Sequence, residues 1–352
     1  MLSPRDNYLR SARFLHPESI PCHVAISGAS FAEHGRELEE VLCRHRRLFP
    51  DFVPGRCDYE NYDFLPEQRV GERVDPWGCT WRCAINGLVG TVVGHPLADW
   101  SALAGLRPPP PLPQNAHRIT SDWPAERARI ERARQRGELT SGGVPHGFLF
   151  MRLLYLRGFE NLLCDLVAEP PQLWRLIEIV KGHNAELIQR WLGLDVDVVG
   201  FGEDLGTQSG PMISPAMFAK YVTPAYKQLM SPARAAGKLV HLHSDGYVMD
   251  LMDEFAAAGV DIVNPQDLVN GIDALAAEVK GRFCIDLDVD RQSIVPFGSR
   301  KDIHDLIEAE VRKLGDPAGG LMLKVGIYPP TPPQNVDALC EAFDKFATYW
   351  WD

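Results

Sequence analysis

The sequence of 352 residues lacks the signals of several large protein classes. It contains no Gly-x-Gly-x-x-Gly, Gly-x4-Gly-Lys, Gly-x-Ser-x-Gly or His-Glu-x-x-His pattern, so nothing in it indicates a nucleotide or pyridoxal cofactor. The longest stretch without a charged residue, 83–98, is too short and too polar to span a bilayer. The N-terminal MLSPRDNYLR has no apolar segment of the kind found in signal peptides. We therefore expect neither a membrane partner nor export.

Basic side chains are in the minority. Thirty-six Lys and Arg residues face 47 Asp and Glu residues, which gives a net charge of −11 at pH 7. A chain this acidic does not attract phosphate backbones, and we expect no nucleic-acid partner. Eight cysteines are scattered without any Cys-x-x-Cys pair. In a chain of this length they are interpreted as reduced thiols, and the expected location is cytoplasmic.

The second half of the chain alternates short β-branched runs with helical patterns. Strands are predicted at 21–27, 147–152, 195–201, 238–243, 260–264, 282–287 and 320–325. Such alternation indicates parallel βαβ units in an α/β fold. Seven strands suit either an eight-stranded barrel with one strand unrecognised or a doubly wound sheet, which periodicity does not distinguish. The length favours a single (β/α)8 TIM barrel that occupies 1–352 as one domain.

An insertion of about 55–145 interrupts this pattern, and its aromatic, glycine-bearing part is predicted to form a β-hairpin over the barrel. The segment DPWGCTW at 75–81 carries Trp77 and Trp81, which share one face of a strand because they are four residues apart. Trp77 is predicted to wall an apolar substrate pocket. For Trp81, packing of the hairpin onto the barrel rim is an equally good interpretation. The charged stretch 122–137 is predicted to be an exposed helix.

In either α/β architecture, functional side chains lie at the carboxyl ends of the strands. His241, His243 and Asp245 alternate along one strand and therefore share a face, with about 7 Å between successive members. Imidazole and carboxylate groups on one face suit a divalent metal ion or a general acid–base pair. For His241, a buried histidine bonded to a neighbouring acid is the competing interpretation.

Acidic and polar residues follow the other strands in the same way. Asp290 is interpreted mainly as the cap of the following helix, and for Asp204 a turn and a functional role are equally plausible. The candidate catalytic residues are His243, Asp245, Asp204, His241 and Asp288. The candidate substrate-binding residues are Trp77, Arg152, Glu203, Gln266 and Tyr328.

Several of these residues lie in segments that resemble the uroporphyrinogen decarboxylase superfamily, which includes the decarboxylase and corrinoid-dependent methyltransferases. The resemblance extends over about 17–346. It rests on DPWGCTW (75–81), LRGFENL (156–162), GEDLGTQ (202–208), ISPAMFAKYVTPAYKQLM (213–230), HSDG (243–246), AGVDIVNPQD (258–267), DVDRQSIVPFGS (288–299) and YPPTPPQNV (328–336). It implies a single TIM barrel with its site at the C-terminal mouth.

The sequence departs from both well-understood branches of that superfamily. The arginine-rich signature that holds the decarboxylase's substrate carboxylates is replaced by PCHVAISGAS. The resemblance assigns the zinc-binding histidine of the methyltransferases to His243, but Asp245 stands at the first cysteine and Val325 at the second. The implied site is therefore oxygen-rich, with His243 and Asp245 as ligands of zinc or another divalent ion and Asp204 as a further candidate. No corrinoid-binding motif is present, so a corrinoid would be carried by a separate protein.

The leading functional prediction is methyl transfer between a small methylated substrate or folate and a partner corrinoid protein, assisted by a metal ion or an acid–base group. The first alternative is a decarboxylase-type lyase acting on a carboxylated, tetrapyrrole-like substrate, for which Arg152, Arg157 and Lys324 are the available cations. The second alternative is a non-catalytic ligand-binding barrel. It is suggested by Asp245 and Val325, which stand where the resemblance places the two cysteine ligands.

Overall fold

The computed structural model describes residues 2–351. Ten β-strands lie within these residues: β1 (Cys22–Ile26), β2 (Gly71–Val74), β3 (Thr80–Cys83), β4 (Thr91–Gly94), β5 (Ser141–Gly143), β6 (Val198–Asp204), β7 (Leu239–Asp245), β8 (Ile262–Pro265), β9 (Cys284–Asp288) and β10 (Leu321–Ile327).

Fourteen α-helices lie in the same part of the chain: α1 (Pro4–Ala12), α2 (Gly28–Arg44), α3 (Trp123–Gln135), α4 (Phe150–Arg157), α5 (Phe159–Ala168), α6 (Pro171–Leu192), α7 (Pro215–Tyr221), α8 (Thr223–Ala235), α9 (Met252–Ala258), α10 (Asp267–Asn270), α11 (Ile272–Glu278), α12 (Ile294–Phe297), α13 (Arg300–Leu314) and α14 (Pro333–Phe346). Short 3-10 helices occupy Pro66–Gln68, Trp100–Gly105 and Met249–Leu251. None of the helices within 2–351 is long and apolar enough to cross a membrane.

The strands form two sheets. Among the described residues, seven strands form one sheet in the order β1-β10-β9-β8-β7-β6-β5, and β2, β3 and β4 form a small antiparallel sheet. The pairs β1–β10, β10–β9, β5–β6 and β6–β7 are parallel. The fold is therefore α/β and of the TIM-barrel class, as predicted. The predicted β-hairpin is also present, with a third strand added.

The chain divides into two compact units, and the division passes through β8. The first unit consists of Met1–Arg69, Ile85–Leu88 and Asn264–Asp352, and it contains β1, β9 and β10. The second unit consists of Val70–Ala84 and Val89–Val263, and it contains the antiparallel sheet with β5, β6 and β7. The assignment of 1–352 to one domain remains a prediction.

Local sequence signals explain where several helices begin. Ser214 caps α7 by accepting the backbone N–H of Met217, and a proline occupies the first turn. Ser299 and Asp302 form a reciprocal capping box at the start of α13, whose apolar stripe is buried. The predicted exposed helix is present as α3, and Asp122 is its N-cap.

The strand predicted at 147–152 is wrong, because α4 begins at Phe150 and the true strand, β5, lies earlier. A short apolar run does not distinguish a strand from a buried helix. The three residues of β5 are Ser-Gly-Gly, which carry no β-branched signal. A Cβ at Gly142 would lie 2.2 Å from the Trp191 ring, and one at Gly143 would lie 2.1 Å from the carbonyl oxygen of Gly200. Close packing therefore requires glycine here and conceals the strand.

Candidate functional site

The carboxyl ends of β6 and β7 bring most of the predicted catalytic residues together. In their parallel register Gly202 is paired with His243, and Asp204 is paired with Asp245. Adjacent strands lie about 4.8 Å apart, so these side chains meet at one edge of the second unit. His241 lies on β7 two residues earlier and is half-buried.

A further histidine, which the sequence did not single out, reaches the same place. His146 lies in the loop between β5 and α4, and its Nε2 is 3.1 Å from Oδ1 of Asp204. The ring centroids of His146 and His243 are 5.8 Å apart. The neighbouring Gly147 donates its N–H to the carbonyl of Gly202 at 2.8 Å, which ties this loop to β6. Recognition of β5 would have revealed His146, because it then follows a strand end as the other candidates do.

His146 and Asp204 stabilise each other's charged forms. Burial opposes ionisation of Asp204, but the hydrogen bond from His146 and the charges of His146 and His243 outweigh it and lower the Asp204 pKa. Burial likewise disfavours the imidazolium of His146. The hydrogen bond to Asp204 and the charges of Asp204 and Glu203 prevail and raise the pKa of His146. Each side chain therefore favours the charged form of the other.

The donor atoms are close enough to serve one metal ion. His146, Asp204 and His243 each offer a ligand atom, and the three atoms lie within 4.8 Å of one another. Asp245 is also near, with its Oδ1 3.4 Å from Nε2 of His243. No such group of three or more donors within residues 2–351 includes a cysteine. The donor atoms brought together here are nitrogen and oxygen atoms, and metal binding at this cluster remains a prediction.

Glu203 points away from this cluster. Its carboxylate accepts the backbone N–H groups of Leu149 at 2.5 Å and of Phe150 and Met151 at 2.8 Å. The side chain is fully buried, and burial raises its pKa to about 7 in spite of these hydrogen bonds. The predicted role in substrate binding is untested, but the contacts give Glu203 the role of holding the start of α4.

Arg152 is also engaged inside the protein. Its guanidinium lies 2.8 Å from Oδ2 of Asp75, and neither side chain is more than 2% exposed. Asp75 also accepts the indole N–H of Trp81 at 3.1 Å and the backbone N–H groups of Trp77 and Cys79 at 2.9 Å. This ion pair fastens the small antiparallel sheet to α4. The predicted role of Arg152 in binding substrate remains a prediction.

Trp77 is buried, and its ring lies beside His183 and Arg152. Its ring meets His183 edge-on at a centroid distance of 5.0 Å, and the Arg152 guanidinium lies 5.5 Å from it. Burial and the charge of Arg152 lower the pKa of His183 to about 4, so His183 is neutral at pH 7. The predicted role of Trp77 in walling a substrate pocket remains a prediction.

Three predicted residues belong to the first unit. Asp288 ends β9 and is buried, with Oδ2 3.4 Å from the guanidinium of Arg291. Gln266 forms an isolated β-bridge with Asp288. Tyr328 follows β10, is 42% exposed, and lies 5.9 Å from the guanidinium carbon of Arg291. Arg291 thus links Asp288 and Tyr328, although the sequence did not single it out.

Asp290 forms the cap that the sequence predicted. Its carboxylate accepts the backbone N–H groups of the next residues at 2.5–3.1 Å, namely those of Gln292, Ser293, Ile294 and Val295. These bonds fold the segment after β9 into the short helix α12. Asp290 is therefore structural.

Comparison with known protein families shows to which family the chain belongs. The family described as Uroporphyrinogen decarboxylase (URO-D) matches residues 123–346, which is more than half of the sequence. The chain belongs to the uroporphyrinogen decarboxylase family. This confirms the resemblance noted in the sequence. No curated protein matches the chain.

The chain of this URO-D family member is similar to several solved structures. A methyltransferase from Methanosarcina mazei superposes with a TM-score of 0.64 at 15% identity, over 98% of this chain and 99% of that one. Weaker similarities include a D-psicose 3-epimerase, with a TM-score of 0.42 at 10% identity over 65% of this chain and 85% of that one. A B12-independent methionine synthase from Shewanella sp. W3-18-1 has a TM-score of 0.40 at 10% identity, over 66% and 67% of the two chains. The first of these similarities supports the TIM-barrel class.

One family position is closed to metal binding in this URO-D member. Val325, where the resemblance places a second cysteine ligand, is fully buried on β10 and pairs with Val24. All eight cysteines are free thiols, and Cys79, Cys83, Cys284 and Cys340 are buried. A thiolate zinc site of the methyltransferase type therefore does not fit these residues, whereas an ion bound by nitrogen and oxygen donors fits them.

Proposed function

We propose that this URO-D family member is an enzyme that transfers a methyl group between a small methylated substrate, or a folate, and a corrinoid carried by a partner protein. The observation that carries the proposal is the cluster of Asp204, His243 and Asp245 at the carboxyl ends of β6 and β7 with His146 from the loop after β5. In α/β barrels this edge of the sheet is where catalytic groups lie. The fold shared with a methyltransferase is consistent with the proposal.

Methyl transfer from oxygen, nitrogen or sulfur breaks the bond between that heteroatom and the methyl carbon. The heteroatom keeps the bonding electron pair, so a group that protonates or coordinates it lowers the barrier. We assign this role to His243, with Asp245 next to it at 3.4 Å. Asp204 orients the neighbouring His146, and His241 supports His243 from the same strand. A divalent ion held by these nitrogen and oxygen donors would supply Lewis-acid polarisation of the heteroatom.

The proposal is tested with free corrinoid in place of the partner protein. Purified protein of verified metal content is mixed with cob(I)alamin and a panel of methanol, methylamines, methyl thioethers, aryl methyl ethers and methyltetrahydrofolate, and the corrinoid spectrum is followed. We expect methylcobalamin with at least one substrate. His243→Ala is expected to lose roughly 100-fold or more of the rate, since acid–base assistance contributes about that much. His304→Gln, which alters a histidine of the other unit on α13, should retain the rate.

Absence of methyl transfer in both directions, with cob(I)alamin and with methylcobalamin, would refute the proposal. The family's own description makes a decarboxylase-type lyase the second candidate. That reaction needs cations for the substrate carboxylates, but Arg152 is paired with Asp75, and Arg157 is paired with Asp165 at 2.7 Å. Release of CO2 from uroporphyrinogen would establish the lyase. Inactivity in both assays, with unchanged ligand binding in stable His243→Ala protein, would support a non-catalytic ligand-binding barrel.

A further inference from the structure

We infer that His146, Asp204 and His243 form the binding site of one divalent transition-metal ion, with Asp245 outside the ligand set. This site differs from the predicted pair of His243 and Asp245, because Asp204, which was predicted only as a further candidate, replaces Asp245, and because His146 is added. It does not depend on the proposed methyl transfer, since an ion can bind there whichever reaction the protein catalyses.

The spacing of the donor atoms supports the site. Metal–nitrogen and metal–oxygen bonds of about 2.0–2.2 Å place ligand atoms roughly 3–4 Å from one another around an ion. The three donor atoms lie within 4.8 Å of one another, and Nε2 of His146 is 3.1 Å from Oδ1 of Asp204. Closure around an ion therefore requires movements of an ångström or less.

The backbone holds the three ligands independently of one another. His243 and Asp204 lie on adjacent strands whose register places Gly202 beside His243. The His146 loop is bound to β6 by two backbone hydrogen bonds, from Val144 to Gly200 at 3.1 Å and from Gly147 to Gly202 at 2.8 Å. Ligands presented by a rigid frame lose little conformational entropy when the ion binds, which distinguishes this cluster from a chance surface ion pair.

The donor types define the class of ion. Two imidazoles and one carboxylate, without thiolate, suit zinc, iron(II), cobalt(II) or manganese(II) rather than copper(I). Three protein ligands leave coordination positions open, as in catalytic rather than structural sites. The side chains of His146, Asp204 and His243 are 42%, 31% and 22% exposed, so those positions face solvent and are accessible to a substrate heteroatom.

The test measures metal binding directly, without any substrate. Full-length protein purified without a metal-affinity step is stripped with a chelator and titrated with Zn2+ against a chromophoric competitor. Bound zinc is counted by mass spectrometry, and Co2+ substitution reports the ligand field. We expect about one ion per chain, together with a rise in the unfolding temperature as Zn2+ is added, because the ion binds the native state.

Variants identify the ligands. His146→Ala, Asp204→Asn and His243→Ala should each weaken Zn2+ binding by more than roughly 100-fold, since loss even of a supporting group around a metal costs 10–100-fold. Asp245→Asn should weaken Zn2+ binding less than the loss of any of the three ligands, and by no more than about 10–100-fold, because Asp245 supports His243 from 3.4 Å without binding the ion. His146→Gln keeps a hydrogen-bonding partner for Asp204 while removing the imidazole, which guards against misfolding of the alanine variant. His304→Gln is the matched control. His304 belongs to the first unit, and its Nε2 lies 3.7 Å from a carboxylate oxygen of Glu341, so the variant also removes a histidine beside a carboxylate.

Two outcomes would overturn the inference. Wild-type protein that binds less than about a tenth of an ion per chain at micromolar Zn2+ has no site, and His146 and Asp204 are then an ion pair alone. Loss of binding in Asp245→Asn with unchanged binding in His146→Gln would restore the pair of His243 and Asp245. Failure of methyl transfer with intact zinc binding would contradict only the proposed function, so the two results are distinguishable.

Discussion

Gly202 and His146 are in contact: a Cβ added at Gly202 would lie 3.1 Å from Cδ2 of the His146 ring. The histidine therefore reaches Asp204 across a strand position where no side chain stands. The glycine of the sequence Gly-Glu-Asp makes room for a residue that lies 56 positions earlier in the chain.

Gly202→Ala tests this relationship. The added methyl group must push the imidazole by a few tenths of an ångström, which loosens its contact with Asp204. We expect the Zn2+ affinity to fall and the stability to fall by about 1–3 kcal/mol, as is typical of overpacking. Unfolding in urea and zinc titration measure the two effects.

Gly182→Ala is the control for that substitution. Gly182 lies inside α6 with nothing within 4 Å of a Cβ, so alanine should stabilise the helix by up to about 1 kcal/mol and leave zinc binding unchanged. Equal effects of the two substitutions would show that Gly202 has no special relation to His146.

Arg152→Met is expected to destabilise the protein strongly. It leaves the carboxylate of Asp75 buried without its cation, which typically costs 3–5 kcal/mol. The double variant Asp75→Asn with Arg152→Met removes both charges and should recover part of the loss. Arg82→Met breaks an exposed pair with Glu72 on the same small sheet and should cost about 1 kcal/mol or less. The measurement is the free energy of unfolding in urea for the four proteins.

If Arg152→Met is as stable as Arg82→Met, the buried ion pair with Asp75 does not stabilise the protein, and this account of Arg152 is wrong. Retained stability with lost turnover of a carboxylated substrate would instead favour the substrate-binding role that the sequence predicted.

Glu310 and Asp267 form a buried pair of carboxyl groups in the first unit. Burial and the charge of Asp267 hold the pKa of Glu310 well above its ordinary value of 4.5, and burial also raises the pKa of Asp267. Among residues 2–351 no N–H or O–H group is positioned to donate to either Glu310 oxygen, and its side chain is fully buried. Burial and the nearby carboxyl group therefore favour the protonated form of Glu310.

This pair makes stability depend on pH with a definite sign. A native pKa above the unfolded value means that the native state binds more protons, so the free energy of unfolding falls as pH rises from about 4.5 towards the native pKa. Glu310→Gln keeps a neutral amide beside Asp267 and should make that fall shallower. Glu203, whose native pKa is about 7, contributes part of the fall that remains in this variant.

Urea unfolding from pH 5 to pH 9 measures how steeply the free energy of unfolding falls with pH in the wild type and in Glu310→Gln. Glu308→Gln on the same helix alters a half-exposed residue paired with Arg312 and should leave the slope of the wild type unchanged. A slope in Glu310→Gln that equals the wild-type slope would show that Glu310 is not the proton-binding group.

Asp290→Ala should destabilise the first unit by about 1–2 kcal/mol, because four backbone N–H groups lose their acceptor. Asp316→Ala removes an exposed acceptor of one N–H group and should cost less than about 0.5 kcal/mol. Urea unfolding of the two variants provides the comparison. Equal costs would mean that the segment after β9 is held by other contacts.

Local sequence determined the fold class and three of the four residues of the candidate site. The β-branched runs of β6, β7, β9 and β10 and the capped helices between them are patterns of neighbouring residues, so periodicity and capping signals predict them. His243, Asp245 and Asp204 follow directly from those strands, because a residue at the carboxyl end of a parallel strand lies at the functional edge of the sheet.

Only the tertiary structure brought His146 into the site and gave Arg152 and Glu203 their partners. Glycine is depleted in β-strands, but β5 contains two glycines because close packing against Trp191 and Gly200 leaves no room for a side chain, and this removes the sequence signal of the strand. Arg152 meets an aspartate 77 residues away, and Glu203 meets backbone N–H groups 52–54 residues away. Side-chain types show that a charge needs a partner, but the identity of that partner depends on chain packing, which no local pattern encodes.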